Sequence, residues 1–193
     1  MLQNGKKPAV FLDRDGTVIV ETGYPSRPEQ VTLLPGAAAG IKRLRDAGFA
    51  CVIVTNQSGV GRGYFTETEL HAVNEEMHRQ LASAGACVDG LYYCTAAPAT
   101  GDKTRLDHPD RKPGPGMLLR AARDLKLDLA SSWMVGDSVS DILAGRNAGC
   151  RSSLLVKTGN DVAEALALLP DRTLVFDDLN AAADWILSNR VQC

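Results

Sequence analysis

Asp13 and Asp15 stand two residues apart, directly after the apolar run Val10-Phe11-Leu12 and directly before Gly16. An apolar run of strand length buries itself in a sheet. Both carboxylates then fall at the strand's end, where glycine allows a sharp turn. Two acids in this frame suit a nucleophile with an acid/base partner, or half of a metal site. Three more polar groups read as strand ends. Thr55-Asn56-Gln57-Ser58-Gly59 offers hydroxyl and amide donors fit for a phosphate oxygen, or simply for capping the next helix. Arg111-Lys112 precedes Pro113, a residue that opens helices. A lysine near the carboxylates would hold them beside a phosphoryl group despite the like charge; alone, the two cations read as a solvated pair. Asp137 ends the run Val135-Gly136, and Asp141 lies one helical turn further on. Both can face one site, or either can serve a helix N-terminus.

These groups need a scaffold. Strand-like runs fall near 9–13, 50–55, 90–94, 132–136, 153–157 and 173–176, and helix-like runs near 36–48, 66–84, 114–127, 139–148, 161–168 and 178–189. Such alternation predicts an α/β protein: a Rossmann-like three-layer sandwich around a mostly parallel sheet. Ligands of such sheets collect at the carboxyl ends of strands. The helix over 66–84 carries a Thr66/Glu69 capping box and the stripe Leu70, Val73, Met77, Leu81, which reads as core packing. His71 and His78 flank that stripe and read as surface or boundary residues. Loops 21–32, 57–65 and 95–111 are left to shape a cleft.

The 193 residues fit one domain spanning 1–193. A net charge of -2, with no basic stripe, speaks against a nucleic-acid or membrane-surface partner. Apolar runs are too short to span a bilayer, and the polar start Met1 to Lys7 does not read as a signal peptide. Five scattered cysteines signal neither a disulfide framework nor a compact zinc motif, so a reducing cytoplasm is expected.

Taken together, the four groups resemble the haloacid dehalogenase (HAD) superfamily of aspartate-nucleophile phosphotransferases over residues 9 to 160. Its DxDGT motif is matched by Asp13 to Thr17, its second motif by Thr55, its lysine by Lys112 and its GDxxxD motif by Gly136 to Asp141. The resemblance implies that Asp13 attacks phosphorus and becomes an aspartyl-phosphate, with Asp15 as acid and then base, its protonated form favoured by burial and neighbouring carboxylates. It implies Mg²⁺ on Asp13, the Asp15 backbone carbonyl and Asp137. Thr55, Asn56 and Lys112 would hold the phosphoryl oxygens, and Asp141 would orient Lys112 or a metal-bound water. Members that cleave carbon–halogen bonds lack an acid at the Asp15 place, so phosphate chemistry is implied. The spacing between motifs leaves no room for a large cap domain.

The strings Phe11 to Thr17, Thr55 to Gly63, Asp89 to Cys94 and Arg111 to Met117 resemble one branch of the superfamily. That branch holds heptose 1,7-bisphosphate phosphatases, of nucleotide-heptose and lipopolysaccharide synthesis, and histidinol-phosphate phosphatases. It implies a small sugar-phosphate substrate, with loss of a 7-phosphate as first expectation and histidinol phosphate as alternative. A DNA 3'-phosphatase or an inactive binding module are remoter readings. Gly23, Tyr24, Gln57, Ser58, Arg62 and Arg111 join Thr55, Asn56 and Lys112 as substrate-binding candidates, and a monomer is expected. The branch usually carries a zinc loop. Here Cys94 remains, Ala96 replaces a histidine, and His108 and Asp110 stand where cysteines would be. A closed zinc site needs four ligands, so no zinc is expected, and loop 95–111 is expected to rely on other contacts or to be mobile.

Overall fold

The computed structural model describes residues 5–169 and 173–190. Its strands are β1 (Ala9–Leu12), β2 (Ala50–Asn56), β3 (Gly90–Cys94), β4 (Trp133–Gly136), β5 (Ser152–Val156) and β6 (Leu174–Phe176). They form one sheet in the order β3-β2-β1-β4-β5-β6, with every pair parallel. The expected three-layer architecture is present. The helices are α1 (Ala37–Asp46), α2 (Ser58–Gly61), α3 (Glu67–Ser83), α4 (Gly116–Asp124), α5 (Val139–Ala148), α6 (Val162–Leu168) and α7 (Leu179–Ser188).

Strand side chains alternate between faces, and the two faces of β1 pack separate cores. Val10 and Leu12 join Ile41, Leu44, Val73, Met77, Leu81 and Ile186, so α1, α3 and α7 cover that side. Ala9 and Phe11 join Met117, Leu118, Ala121 and Ala144 of α4 and α5 on the other. Helix α3 starts at the expected capping box, with Thr66 Oγ1 accepting from Glu69 N–H and the Glu69 carboxylate accepting from Thr66 N–H. Helix α4 is shorter than its periodicity suggested, because Gly114 and Pro115 belong to the turn that delivers Lys112. The short α2 was not anticipated. Near the C-terminus, β6 extends the sheet and α7 packs on α1, tied by ion pairing of Arg43 with Asp184.

The chain leaves β1 for β2 and β3 on one side, then crosses to β4, β5 and β6 on the other. This reversal opens a crevice at the carboxyl end of β1, where ligands of such sheets bind. Between β1 and β2 lie one loop region and α1, and between β2 and β3 lie α2 and α3. No large cap covers the crevice among the described residues.

Candidate active site

Asp13 follows β1 and donates its backbone N–H to Val135 O at 2.9 Å, which locks it beside β4. The chain then turns tightly: Gly16 N–H reaches Ile19 O at 2.8 Å, and Val18 and Ile19 donate to Arg14 O. Gly16 adopts φ +75°, and a Cβ there would meet Asp137 Oδ2 at 2.4 Å. Glycine is required on both counts. Val18 and Ile19 are fully buried and anchor the turn in the core.

The ends of β1 and β4, the first turn of α5 and the loop before α4 thus deliver one cluster; Lys112, expected at a strand end, comes from that loop because, among the described residues, no strand lies between Cys94 and Gly116. Asp13, Asp137, Asp141 and Lys112 are all buried. Lys112 Nζ donates to Asp13 Oδ1 and to the Val54 carbonyl, at 2.6 and 2.8 Å, and pairs with Asp141 Oδ1 at 2.6 Å. Asp141 Oδ2 also accepts from Ser138 N–H at 3.0 Å. The Asp141 carboxylate is therefore engaged with Lys112 and its own helix start. Asp137 Oδ2 accepts from both N–H groups of Asn160, backbone at 2.7 Å and side chain at 2.6 Å.

Burial pushes the Asp13 carboxyl up to about 7, against the pull of Lys112 and helped by Asp141 and Asp15. Burial and Asp13 push Asp137 up to about 6. Asp141 is raised by burial, with Lys112 opposing. Burial disfavours the Lys112 charge, but Asp13 and Asp141 outweigh it and hold its pKa above the ordinary value. Three acids thus share one ammonium. Their oxygens lie within 4.8 Å of one another, the one such group of three or more metal-ligating side chains among the described residues. Hard oxygen donors with surplus negative charge suit Mg²⁺.

Asp15 sits in a network the sequence did not announce. Its carboxylate accepts from Arg14 Nη2 and Nε at 3.0 and 3.2 Å, and from Gln57 Nε2 at 2.9 Å. Its nearest charged partner is a buried guanidinium. Thr55 is buried and lines the cleft, its hydroxyl accepting from Gln57 Nε2 at 2.8 Å. Gln57, expected to contact substrate, spends its amide on Arg14, Asp15 and Thr55 instead. The Asn56 side chain is likewise committed. It clamps the Lys112 backbone, donating to its O and accepting from its N at 3.0 Å each. Both residues position the site through neighbours, because a buried amide must satisfy its polar ends within the protein. Ser58 opens α2 and lines the cleft.

The acids line a cleft of about 300 Å³. A second cavity of about 230 Å³ adjoins it and shares Tyr24, Asn56, Ser58, Lys112 and Ser140. Arg62 and Arg111, both predicted to bind substrate, line this second cavity with Lys103 and Arg105. Tyr24 stands edge-on to Tyr64, ring centroids 4.9 Å apart, at the cleft mouth. Gly23 lies on the same loop, its N–H bonded to the Glu21 carboxylate at 2.5 Å.

Loop 95–111 is held by organic contacts. Asp107 accepts from Ala99 N–H at 2.7 Å, Arg111 Nη1 donates to Ala96 O at 3.0 Å, and Asp110 pairs with Arg120 at 2.8 Å. Cys94 Sγ lies 3.7 Å from His108 Nδ1. That nitrogen also accepts from Asp110 N–H at 3.1 Å. With Asp110 paired to Arg120, these residues do not fit the four-ligand zinc site of the branch.

Sequence reasoning missed Arg14, Asn74, Gly159 and Asn160. Asn160 lies in the loop after β5, four residues beyond Val156, in no motif of its own. Asn74 sits inside the apolar stripe of α3, four residues after Leu70. A polar residue there had to find a buried partner, and Arg14 is that partner.

The sheet order, the strand-end acids and the buried lysine define the core of a HAD-type phosphatase. The family described as HAD-hyrolase-like matches residues 110–182. A D-glycero-D-manno-heptose-1,7-bisphosphate 7-phosphatase of Thermosynechococcus vestitus is 42% identical over 193 residues, covering 95% of this chain and 97% of the relative. A D-glycero-beta-D-manno-heptose-1,7-bisphosphate 7-phosphatase of Pasteurella multocida is 42% identical over 158 residues, covering 82% of this chain and 86% of its own. The crystal structure of a D,D-heptose 1,7-bisphosphate phosphatase from B. bronchiseptica, complexed with magnesium and phosphate, superposes with a TM-score of 0.82 at 39% identity, covering 94% of this chain and 98% of that one. The chain belongs to the heptose 1,7-bisphosphate 7-phosphatase family of HAD phosphatases.

Proposed function

We propose that this chain removes the 7-phosphate of D-glycero-D-manno-heptose 1,7-bisphosphate. The observation that carries the reading is the pair of joined cavities, one holding the acids and Lys112, the other lined by Arg62, Lys103, Arg105 and Arg111. A bisphosphate can lay one phosphate in each. Histidinol phosphate carries a cationic amine away from its phosphate. The second cavity, with five cations and two acids counting the shared Lys112, repels it.

In this reading Asp13 attacks phosphorus, with one oxygen pinned by Lys112 at 2.6 Å. The Asp13 O–P bond forms as the sugar O–P bond breaks, and Asp15 gives its proton to the departing alkoxide. Water then attacks phosphorus, passes its proton to Asp15, and frees Asp13 and inorganic phosphate. Lys112 and Thr55 face the transferring oxygens, while Asn56 and Gln57 keep Lys112 and Asp15 in place. Asp13, Asp137 and the Asp15 backbone carbonyl would hold Mg²⁺, whose charge would keep Asp13 ionised and offset that of the phosphoryl group. Asp141 anchors Lys112. Gly23 and Tyr24 contact the sugar, and Arg62 and Arg111 bind the second phosphate.

The enzyme is read as one domain and a cytoplasmic monomer without zinc; the net charge of -2 agrees with a small metabolite rather than nucleic acid. Among the described residues no helix is long and apolar enough to cross a membrane. Phosphate release with Mg²⁺ tests the substrate, using both anomers of heptose 1,7-bisphosphate, fructose 1,6-bisphosphate, histidinol phosphate and a DNA 3'-phosphate. The highest kcat/KM is expected for one heptose anomer. A preference for histidinol phosphate would overturn the assignment.

A further inference from the structure

Arg14 lies between the two aspartates of the first motif, yet none of its side chain reaches solvent. Burying a guanidinium is costly unless its donors are matched. Here they are matched in one direction. Nη1 donates to Asn74 Oδ1 of α3 at 2.8 Å, and Nη2 to Gln57 Oε1 at 2.9 Å. Nη2 and Nε also hold the Asp15 carboxylate, and Gln57 Nε2 closes the ring onto Asp15 Oδ2. Two of the guanidinium's three partners are therefore Asp15 and the residue that itself holds Asp15. The third, Asn74, ties the plane of the fork to a helix of the core.

We propose that Arg14 is the positioning residue for Asp15, with Asn74 and Gln57 as its supports. The proposal rests on the acid/base reading of Asp15. Arginine and the amide NH₂ of glutamine donate but cannot accept. With such donors along its inner edge, the Asp15 carboxyl can carry a transferable proton only on the edge facing the cleft. The Thr55 hydroxyl adds a weaker donor, reaching Asp15 Oδ2 at 3.5 Å. The turn after Asp15 leaves its side chain partly exposed, at 14%, so without the fork the carboxyl is free to rotate towards solvent.

The test compares two phosphate esters. An alkyl ester, fructose 1,6-bisphosphate, expels an alkoxide and needs the acid. An aryl ester, p-nitrophenyl phosphate, expels a stable phenolate and does not. Product release in the first turnover, read by rapid quench with Mg²⁺ present, isolates the step in which the acid acts. Arg14→Met is expected to slow the alkyl ester on the order of 100-fold, the cost of misplacing a general acid, and the aryl ester by less than about threefold, with KM for both nearly unchanged. Arg14→Lys should recover part of the alkyl rate. Asn74→Leu, remote from the cleft, should show the same selectivity in weaker form, and carries the test if Arg14→Met does not fold. Equal losses on both esters, or no loss, would overturn the proposal. Asp15→Asn separates the two readings. If it shows the selectivity and the Arg14 and Asn74 variants do not, Arg14 fails alone. If Asp15→Asn itself slows both esters equally, the acid role of Asp15 fails.

Discussion

Gly159→Ala should cost the protein its metal while sparing its fold. Gly159 packs against the acid cluster from the loop after β5, and a Cβ built there lies 1.9 Å from Asp137 Oδ2 and 2.8 Å from Gly16 Cα. Opening the first separation to the 3.0 Å below which real Cβ contacts essentially never fall moves the carboxylate by about 1 Å. The loop cannot simply retreat, because Asn160, the next residue, holds the same Oδ2 through two hydrogen bonds. Nor is there much room on the other side, where even a Cβ built on Gly16 would lie 2.4 Å from the same oxygen. Disturbing a residue that orients a ligand costs ~10- to 100-fold in metal affinity, or ~1.4 to ~2.8 kcal/mol. Isothermal titration of Mg²⁺ into the purified variant reads this directly, with far-UV circular dichroism as the control for folding. A folded variant that binds Mg²⁺ within about twofold of the parent would refute the placement of Asp137 in the metal site.

Lys112→Met leaves Asp13 and Asp141 buried without their shared cation, and should lower the unfolding free energy by ~3–5 kcal/mol in urea titrations. Asp13→Asn removes a carboxylate that burial already pushes up to about 7. It should abolish turnover while leaving the metal-free melting temperature equal or higher, read by calorimetry. In metal-free protein, Asp13 and Asp137 sit at about 7 and about 6 against an ordinary 3.8. The folded state therefore binds more protons than the unfolded chain between those values, so metal-free stability should rise as pH falls from about 8 to about 5. Melting scans with a chelator check this slope, and saturating Mg²⁺ should stabilise most at the alkaline end. Metal analysis of the purified protein should give far less than one zinc per chain; near-stoichiometric zinc would contradict the account of loop 95–111.

The order of strands and helices was readable because each element carries a strong pattern: continuous apolar runs for the buried parallel strands, and a capped stripe for α3. The clustering of Asp13 and Asp137 was readable because each follows a strand directly, whereas Lys112 arrives from the loop before α4 and was legible only through its Arg-Lys-Pro string. What the sequence hid was the side chains' direction. Asn56 and Gln57 read as phosphate donors, but their amides face inward onto Lys112 and Asp15. Arg14 carried no signal of its own, because a residue just past a strand gives no sign of which layer it enters. Its partner Asn74 lies 60 residues away, a contact that local periodicity cannot reveal. The support of Asp137 by Gly159 and Asn160 depends on β5 lying beside β4, which is a fact of topology rather than of spacing.

The central claim is that Asp13 carries the phosphoryl group between substrate and water. Enzyme turning over heptose 1,7-bisphosphate with Mg²⁺ can be quenched in borohydride, which reduces an aspartyl-phosphate to homoserine, and the digest read by mass spectrometry. Homoserine at residue 13, absent without substrate and absent from Asp13→Asn, is the predicted result. Phosphate release with no modification of Asp13, or with the label on another residue, would contradict the account.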